Sequence, residues 1–142
     1  MKKGFTLIEL LIVIAVISIL VSIALPRFRG MQDEGNIAKA KGELRTLQTA
    51  VESYYIHNVN TYPGNLGTIT SQIPLIIAIL PTDPFTNGSN YGYTVNGDYY
   101  VIYSVGPGKN GGAGVGGTGD VTESNGNSCI FVTNGNQIDT RP

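Results

Sequence analysis

The chain has 142 residues, nine basic against ten acidic side chains, and a formal net charge of −1. One cysteine excludes an internal disulfide, and no cluster of Lys or Arg offers a surface for nucleic acid. The length fits one modest domain beside the N-terminal apolar segment.

The chain opens Met1-Lys2-Lys3-Gly4-Phe5-Thr6-Leu7-Ile8-Glu9, and residues 10–25 are then apolar except for Ser18 and Ser22. With residues 5–8 added, the run is long enough to cross a bilayer, and Lys2 and Lys3 place the N-terminus on the cytoplasmic side. An ordinary anchor has no use for Glu9, because a carboxylate at the start of an apolar segment is unfavourable unless paired. A secretory signal would share the basic head and apolar core, with Ser22-Ile23-Ala24 as its cleavage site, and a plain anchor would need only the apolar run. Neither accounts for Gly4 and Glu9 together.

Gly4-Phe5-Thr6-Leu7-Ile8-Glu9 resembles the prepilin-peptidase site of the type IV pilin-like superfamily. The resemblance implies a leader over residues 1–4, removed after Gly4, and Phe5 as a methylated new terminus. It also implies that Glu9 pairs with the Phe5 amino group of an adjacent subunit. Residues 5–29 become a transmembrane and filament-core helix, and residues 30–142 a pilin-like head. The implied partners are further copies in a homo-oligomeric filament, prepilin peptidase, an inner-membrane assembly platform, minor pilin-like subunits, and the membrane before assembly. The head would lie outside the cytoplasm. In the same family a proline falls where Pro26 stands. Pro26, followed by Gly30 and Gly35, predicts a kink or local melting over residues 22–35, since proline removes one hydrogen bond and clashes with the preceding turn.

Beyond Arg27, Ile37, Ala40, Leu44, Leu47, Val51 and Tyr54 recur at three- and four-residue steps, the signature of an amphipathic helix with one apolar stripe. The helix should reach residue 58, about 50 residues in all, and needs a sheet to cover its stripe. His57, the one histidine, sits at the expected helix end, where a capping role suits it, with no metal-ligand spacing around it. Residues 60–64 form a turn cluster, and the apolar residues 73–80 are expected as a short buried helix or strand. Residues 91–95, the pair Asn96-Gly97 and residues 98–105 read as a β-hairpin with a type I′ turn, and residues 129–133 as a third strand. The expected fold is α+β: a long N-terminal helix packed on a small antiparallel sheet.

Leu80-Pro81-Thr82-Asp83-Pro84-Phe85 and Tyr103-Ser104-Val105-Gly106 occur in the order of similar segments in the major pseudopilins of type II secretion. Eight glycines crowd residues 106–119, and a G-x-G-x-x-G there lacks the following helix that a dinucleotide site requires. The stretch resembles a pseudopilin calcium loop, which implies calcium held by Asp120, the Val105 carbonyl, and Asn110 or Glu123. Gly108 stands where the family has a second aspartate. A flexible surface loop is the other reading. No Ser/His/Asp set, acid pair or cofactor motif points to catalysis, so the sequence is read as a non-enzymatic filament subunit. A pseudopilus of type II secretion is favoured over a type IV pilus.

Overall fold

The computed structural model describes residues 4–124 and 129–136. It contains one long helix, α1 (Leu7–His57, 51 residues), and five strands: β1 (Gly92–Asn96), β2 (Tyr99–Ser104), β3 (Gly112–Val115), β4 (Val121–Ser124) and β5 (Ile130–Thr133). Two compact units divide the chain, residues 1–35 and residues 36–142. The α+β architecture expected from the pattern is the one found.

In the first unit every described residue is exposed. The helix is held there by its own backbone, and the two serines that interrupt the apolar run turn inward on it. Ser18 Oγ donates to the Ile14 carbonyl at 2.7 Å, and Ser22 Oγ to the Ile19 carbonyl at 2.8 Å. Neither hydroxyl needs a partner outside the helix. The melting expected around Pro26 does not occur, because residues 22–35 are helical throughout. Proline withholds only the N–H that the Ser22 carbonyl would accept, and the neighbouring turns keep their own bonds.

In the second unit the helix seats its stripe. Ala40, Leu44, Leu47, Ala50 and Val51 are buried, with Ile37 and Tyr54 packed against them. Burial of each large apolar side chain contributes roughly 1.5–3 kcal/mol. Two carboxylates flank the stripe and tie it to the sheet: Tyr91 Oη donates to Glu43 at 2.6 Å, and Tyr100 Oη to Glu52 at 2.6 Å. Tyr62 Oη also reaches Glu52, at 3.3 Å.

The main sheet has the order β1-β2-β5, antiparallel throughout. Tyr100 and Ile102 of β2, with Tyr93, Val95, Ile130 and Val132 beside them, face the α1 core. The alternate residues Tyr99, Val101, Tyr103 and Phe131 face the other way, onto Ala113, Val115 and Val121. A second hairpin, β3-β4, therefore covers the sheet face that α1 leaves free. The unit has three layers where one helix and one sheet were expected.

Two further expectations are corrected. The β1-β2 turn lies one residue later than Asn96-Gly97: Asn96 pairs with Tyr99, leaving Gly97 and Asp98 as the loop. Of these only Gly97 has a positive φ, 59°, the pattern of a type II′ turn with glycine first. Residues 73–80 form neither helix nor strand and are largely uncovered, with Ile73, Leu75 and Ile79 exposed. Pro74 and Pro81 withhold N–H groups at both ends of the segment and too few residues remain between them for a stable element, so that only Ile76, Ile77 and Leu80 pack against the core, beside Leu66 and Ile69 of a 3-10 turn, Leu66–Thr70.

Candidate functional site

Gly4, Phe5 and Thr6 precede α1 and are exposed, Phe5 to 81%. A Cβ placed on Gly4 would meet nothing within 4 Å, so no crowding inside the chain demands glycine there. Thr6 is the helix cap. Its Oγ1 accepts from the Glu9 N–H at 3.3 Å, while Glu9 Oε2 accepts from the Thr6 N–H at 2.9 Å and from Thr6 Oγ1 at 2.7 Å. This reciprocal pair is a capping box, and its S/T-x-x-E signature was present in Thr6-Leu7-Ile8-Glu9. Sequence reasoning took Glu9 as a charge awaiting another subunit and missed Thr6 as its partner within the chain. Pro26 lies in mid-helix, 17 residues beyond Glu9, and makes no contact with it.

Beyond Glu9 the exposed face of α1 is apolar over a length sufficient to span a membrane. Water is a poor medium for such a surface.

The residues considered for calcium do not converge. The Val105 carbonyl accepts from the Gly111 N–H at 3.1 Å, at the base of the β3-β4 hairpin. Asp120 lies at the hairpin's other end, where its carbonyl accepts from Gly116 and its Oδ2 from Thr118 Oγ1 at 2.6 Å. Four strand residues separate the two ends, roughly 13 Å. Glu123 pairs with Ala113 in register, and residues three apart on a strand face opposite sides, so Glu123 and Asp120 diverge. Asn110 is exposed in the loop before β3. Among the described residues no group of three or more His, Cys, Asp or Glu gathers in a metal-binding arrangement. The residues present do not fit a calcium shell.

What the two landmark segments do build is a buried clamp that the sequence did not reveal. Asp83 is 2% exposed, and its Oδ1 accepts from Ser104 Oγ at 2.8 Å and from the Phe85 N–H at 3.0 Å. Its Oδ2 accepts from the Val105 N–H at 2.9 Å. The Leu-Pro-x-Asp and Tyr-Ser-x-Gly segments are thus two halves of one joint, between the loop after residue 80 and the end of β2. No local signal links residues 21 apart. His57 ends α1 and is exposed, its Nδ1 donating to the Ser53 carbonyl one turn back at 2.7 Å. Cys129 is half-buried, and burial followed by the nearby Glu123 pushes its thiol up to about 11, leaving it protonated.

Residues 1–25 match the prokaryotic N-terminal methylation motif. The type II secretion system core protein G of Pseudomonas aeruginosa is 26% identical over 129 residues, covering 79% of this chain and 89% of that protein. The fimbrial protein EcpB of Eikenella corrodens is 50% identical over 56 residues, 39% of this chain and 35% of that protein. The type IV major alpha-pilin of Moraxella bovis is 48% identical over 52 residues, 37% and 33% of the two chains. The matches thus span about a third of the length of these fimbrial and pilin relatives and most of the secretion protein. No solved structure matches at a significant level. The chain is thus similar to fimbrial proteins and type IV pilins over its N-terminal third and to core protein G along most of its length.

Proposed function

We propose that the chain is a structural subunit of a pilin-like filament, the pseudopilus of a type II secretion system, and has no catalytic activity of its own. The observation that carries this reading is the first unit: an exposed apolar helix behind a capped Thr6–Glu9 start, within a methylation motif. Prepilin peptidase cuts the exposed segment after Gly4, and the glycine answers a demand of that enzyme, since the folded chain makes none. Before assembly the helix lies in the inner membrane with the head outside the cytoplasm. On assembly the same apolar surface moves from lipid to the helices of other copies, and Glu9 exchanges its hold on Thr6 for the Phe5 amino group of a neighbour. The secretion reading is preferred to a type IV pilus because core protein G aligns along most of both chains. The assembly platform and minor pilin-like subunits follow as partners.

Intact-mass analysis of purified filaments tests the reading. The subunit should lack residues 1–4 and be about 14 Da heavier than the cut chain, from one methyl group. A mature terminus near residue 25 would replace it with a secretory signal.

A further inference from the structure

The chain carries five Asn-Gly pairs, beginning at residues 87, 96, 110, 125 and 134. Such a pair is reactive because glycine lacks the Cβ that would crowd its nitrogen, and that nitrogen can attack the side-chain amide of the asparagine before it. Folding decides whether it does. The asparagine has to turn its side chain back on the main chain, and the glycine N–H has to be clear of other bonds. Asn125-Gly126 lies outside the described residues, and the other four pairs differ in what holds them.

At three pairs the fold supplies a restraint. Gly111 is buried, and its N–H donates to the Val105 carbonyl at 3.1 Å. Asn134 is held by its own side chain: Oδ1 accepts from the Tyr100 N–H at 2.8 Å and Nδ2 donates to the Asp98 carbonyl at 2.8 Å, while the Gly135 N–H donates to Thr133 Oγ1 at 2.9 Å. Asn96 is paired with Tyr99 at the end of β1, and its Nδ2 reaches the Val115 carbonyl at 3.4 Å. Asn87-Gly88 has neither kind of restraint. Both residues are exposed, and neither the Asn87 side chain nor the Gly88 N–H has a hydrogen-bond partner among the described residues. Gly88 sits at φ 89° with open space where a Cβ would point. The rest of the turn is tied around them: the Asp83 N–H donates to the Ser89 carbonyl at 2.9 Å, the Thr86 N–H to the Asp83 carbonyl at 3.1 Å, and the Ser89 N–H to Thr86 Oγ1 at 3.1 Å.

We propose that Asn87 is a self-modification site, where the folded head converts the residue to aspartate and isoaspartate without an enzyme. The Gly88 nitrogen gives up its proton to hydroxide and bonds to Asn87 Cγ. The bond from Cγ to the side-chain nitrogen then breaks, and that nitrogen takes a proton from water and leaves as ammonia. A five-membered succinimide remains, and water opens it. Cleavage between Cγ and the Gly88 nitrogen gives aspartate; cleavage between the Asn87 backbone carbonyl carbon and that nitrogen gives isoaspartate, whose main chain runs through Cβ and Cγ. Either product places a negative charge on the exposed turn. Isoaspartate also adds one atom to the backbone inside the loop that the Asp83–Ser89 bond closes, so that bond or the Thr86–Ser89 bond gives way. The loop begins at Asp83, which puts the change next to the clamp on Ser104 and Val105. Older heads are thus more acidic and looser than new ones. The chemistry belongs to the head, whether or not the chain assembles.

The test holds the detergent-solubilised full chain at mildly alkaline pH for several days and follows its peptides by mass. The peptide containing residue 87 should become about 1 Da heavier, a hydroxyl replacing the amide NH2. It should do so faster than the peptide containing Asn96, and about tenfold faster than those containing Asn110 and Asn134, where hydrogen bonds have to open first. In denaturant the five pairs should react alike. Part of the product should resist a protease that cuts before aspartate, which marks isoaspartate. Asn87→Gln, which cannot close the five-membered ring, should show no gain at this position, and after the same incubation should melt about 5 °C above the parent, the shift expected for one lost hydrogen bond in a small domain. A gain at residue 87 no faster than at 96, 110 or 134 in the folded chain overturns the proposal. So does a ranking that survives denaturant, since local sequence instead of the fold would then set it, or equal melting of the two incubated chains.

Discussion

The two units of the chain use apolar side chains in opposite ways. In residues 4–35 every described side chain is exposed, and the backbone, one capping box and two inward-turned serines satisfy all that the helix needs locally. From residue 36 onward the stripe of α1 disappears between helix and sheet, and two glutamates are tied by tyrosine hydroxyls. A self-sufficient helix is free to exchange one apolar environment for another, because none of its exposed apolar side chains has a packing contact to break. A head built from long-range contacts keeps its shape while that exchange happens. If this division is right, changes in one unit should leave the other untouched.

The largest effect is expected at Glu9. Glu9→Gln preserves the capping box, since Gln serves at that position, but removes the charge. Glu9→Val removes both. If the pairing with the Phe5 amino group drives assembly, both variants should be cut after Gly4 and yet lose about tenfold or more in filament yield. A normal yield from Glu9→Gln would reduce Glu9 to a cap. The head should not respond in either case. All eight tyrosines lie between residues 54 and 103 and tryptophan is absent, so the near-ultraviolet tyrosine signal of the detergent-solubilised full chain follows the head alone.

The converse comes next in size. Asp83→Asn keeps one acceptor and sets an amide against the Val105 N–H or the Ser104–Phe85 pair, so buried groups lose their partner. Unfolding followed by the tyrosine signal should show a loss of about 2–4 kcal/mol. Cleavage after Gly4 and membrane insertion should be those of the parent. A variant that also failed to be cut would show that the units are coupled.

The same division explains what the sequence disclosed. Periodicity and end signals were enough for α1, the first hairpin and the third strand, since each is written in neighbouring residues. The β3-β4 hairpin was hidden because its glycines serve distant partners. At Gly119, φ is 85° and a Cβ would lie 2.8 Å from the Tyr99 ring. At Gly111, just before β3, a Cβ would lie 2.6 Å from the Val105 carbonyl and 2.8 Å from the Cys129 Cβ. Glycines chosen to admit such distant neighbours read, in one dimension, as a flexible loop. The Asp83 clamp was hidden for the same reason, whereas the Thr6–Glu9 cap was legible and passed over in favour of a more distant partner.

Alkaline pH should loosen the head alone, and by less. Burial, then Glu52, pushes Tyr62 up to about 12, and burial with the adjacent Glu43 or Glu52 raises Tyr91 and Tyr100 further. Folded-state values above the ordinary value near 10 mean that the folded head keeps protons which the unfolded chain gives up. The stabilisation is complete below pH 10 and is lost as pH rises through 10 to 12. The melting temperature should be flat from pH 7 to 9 and fall steeply above 10. Tyr100→Phe should cost about 1 kcal/mol at pH 7, one hydrogen bond to Glu52, and flatten part of the alkaline fall. A fall beginning near pH 8 would point to another group.

Calcium should have the smallest effect. A ligand at 100 times its dissociation constant adds about 2.7 kcal/mol to the state it binds, which would be plain in a melting curve. The hairpin, however, holds Asp120 at the end away from the Val105 carbonyl and turns Glu123 to the opposite face, so one ion cannot draw on all three without opening the β3-β4 pairing. Melting curves of the full chain in chelator and in millimolar calcium should therefore coincide, and Asp120→Ala should change neither. A calcium-dependent rise abolished by Asp120→Ala would mean that the second hairpin rearranges around the ion. The third layer of the head would then be a response to calcium instead of a fixed part of the fold.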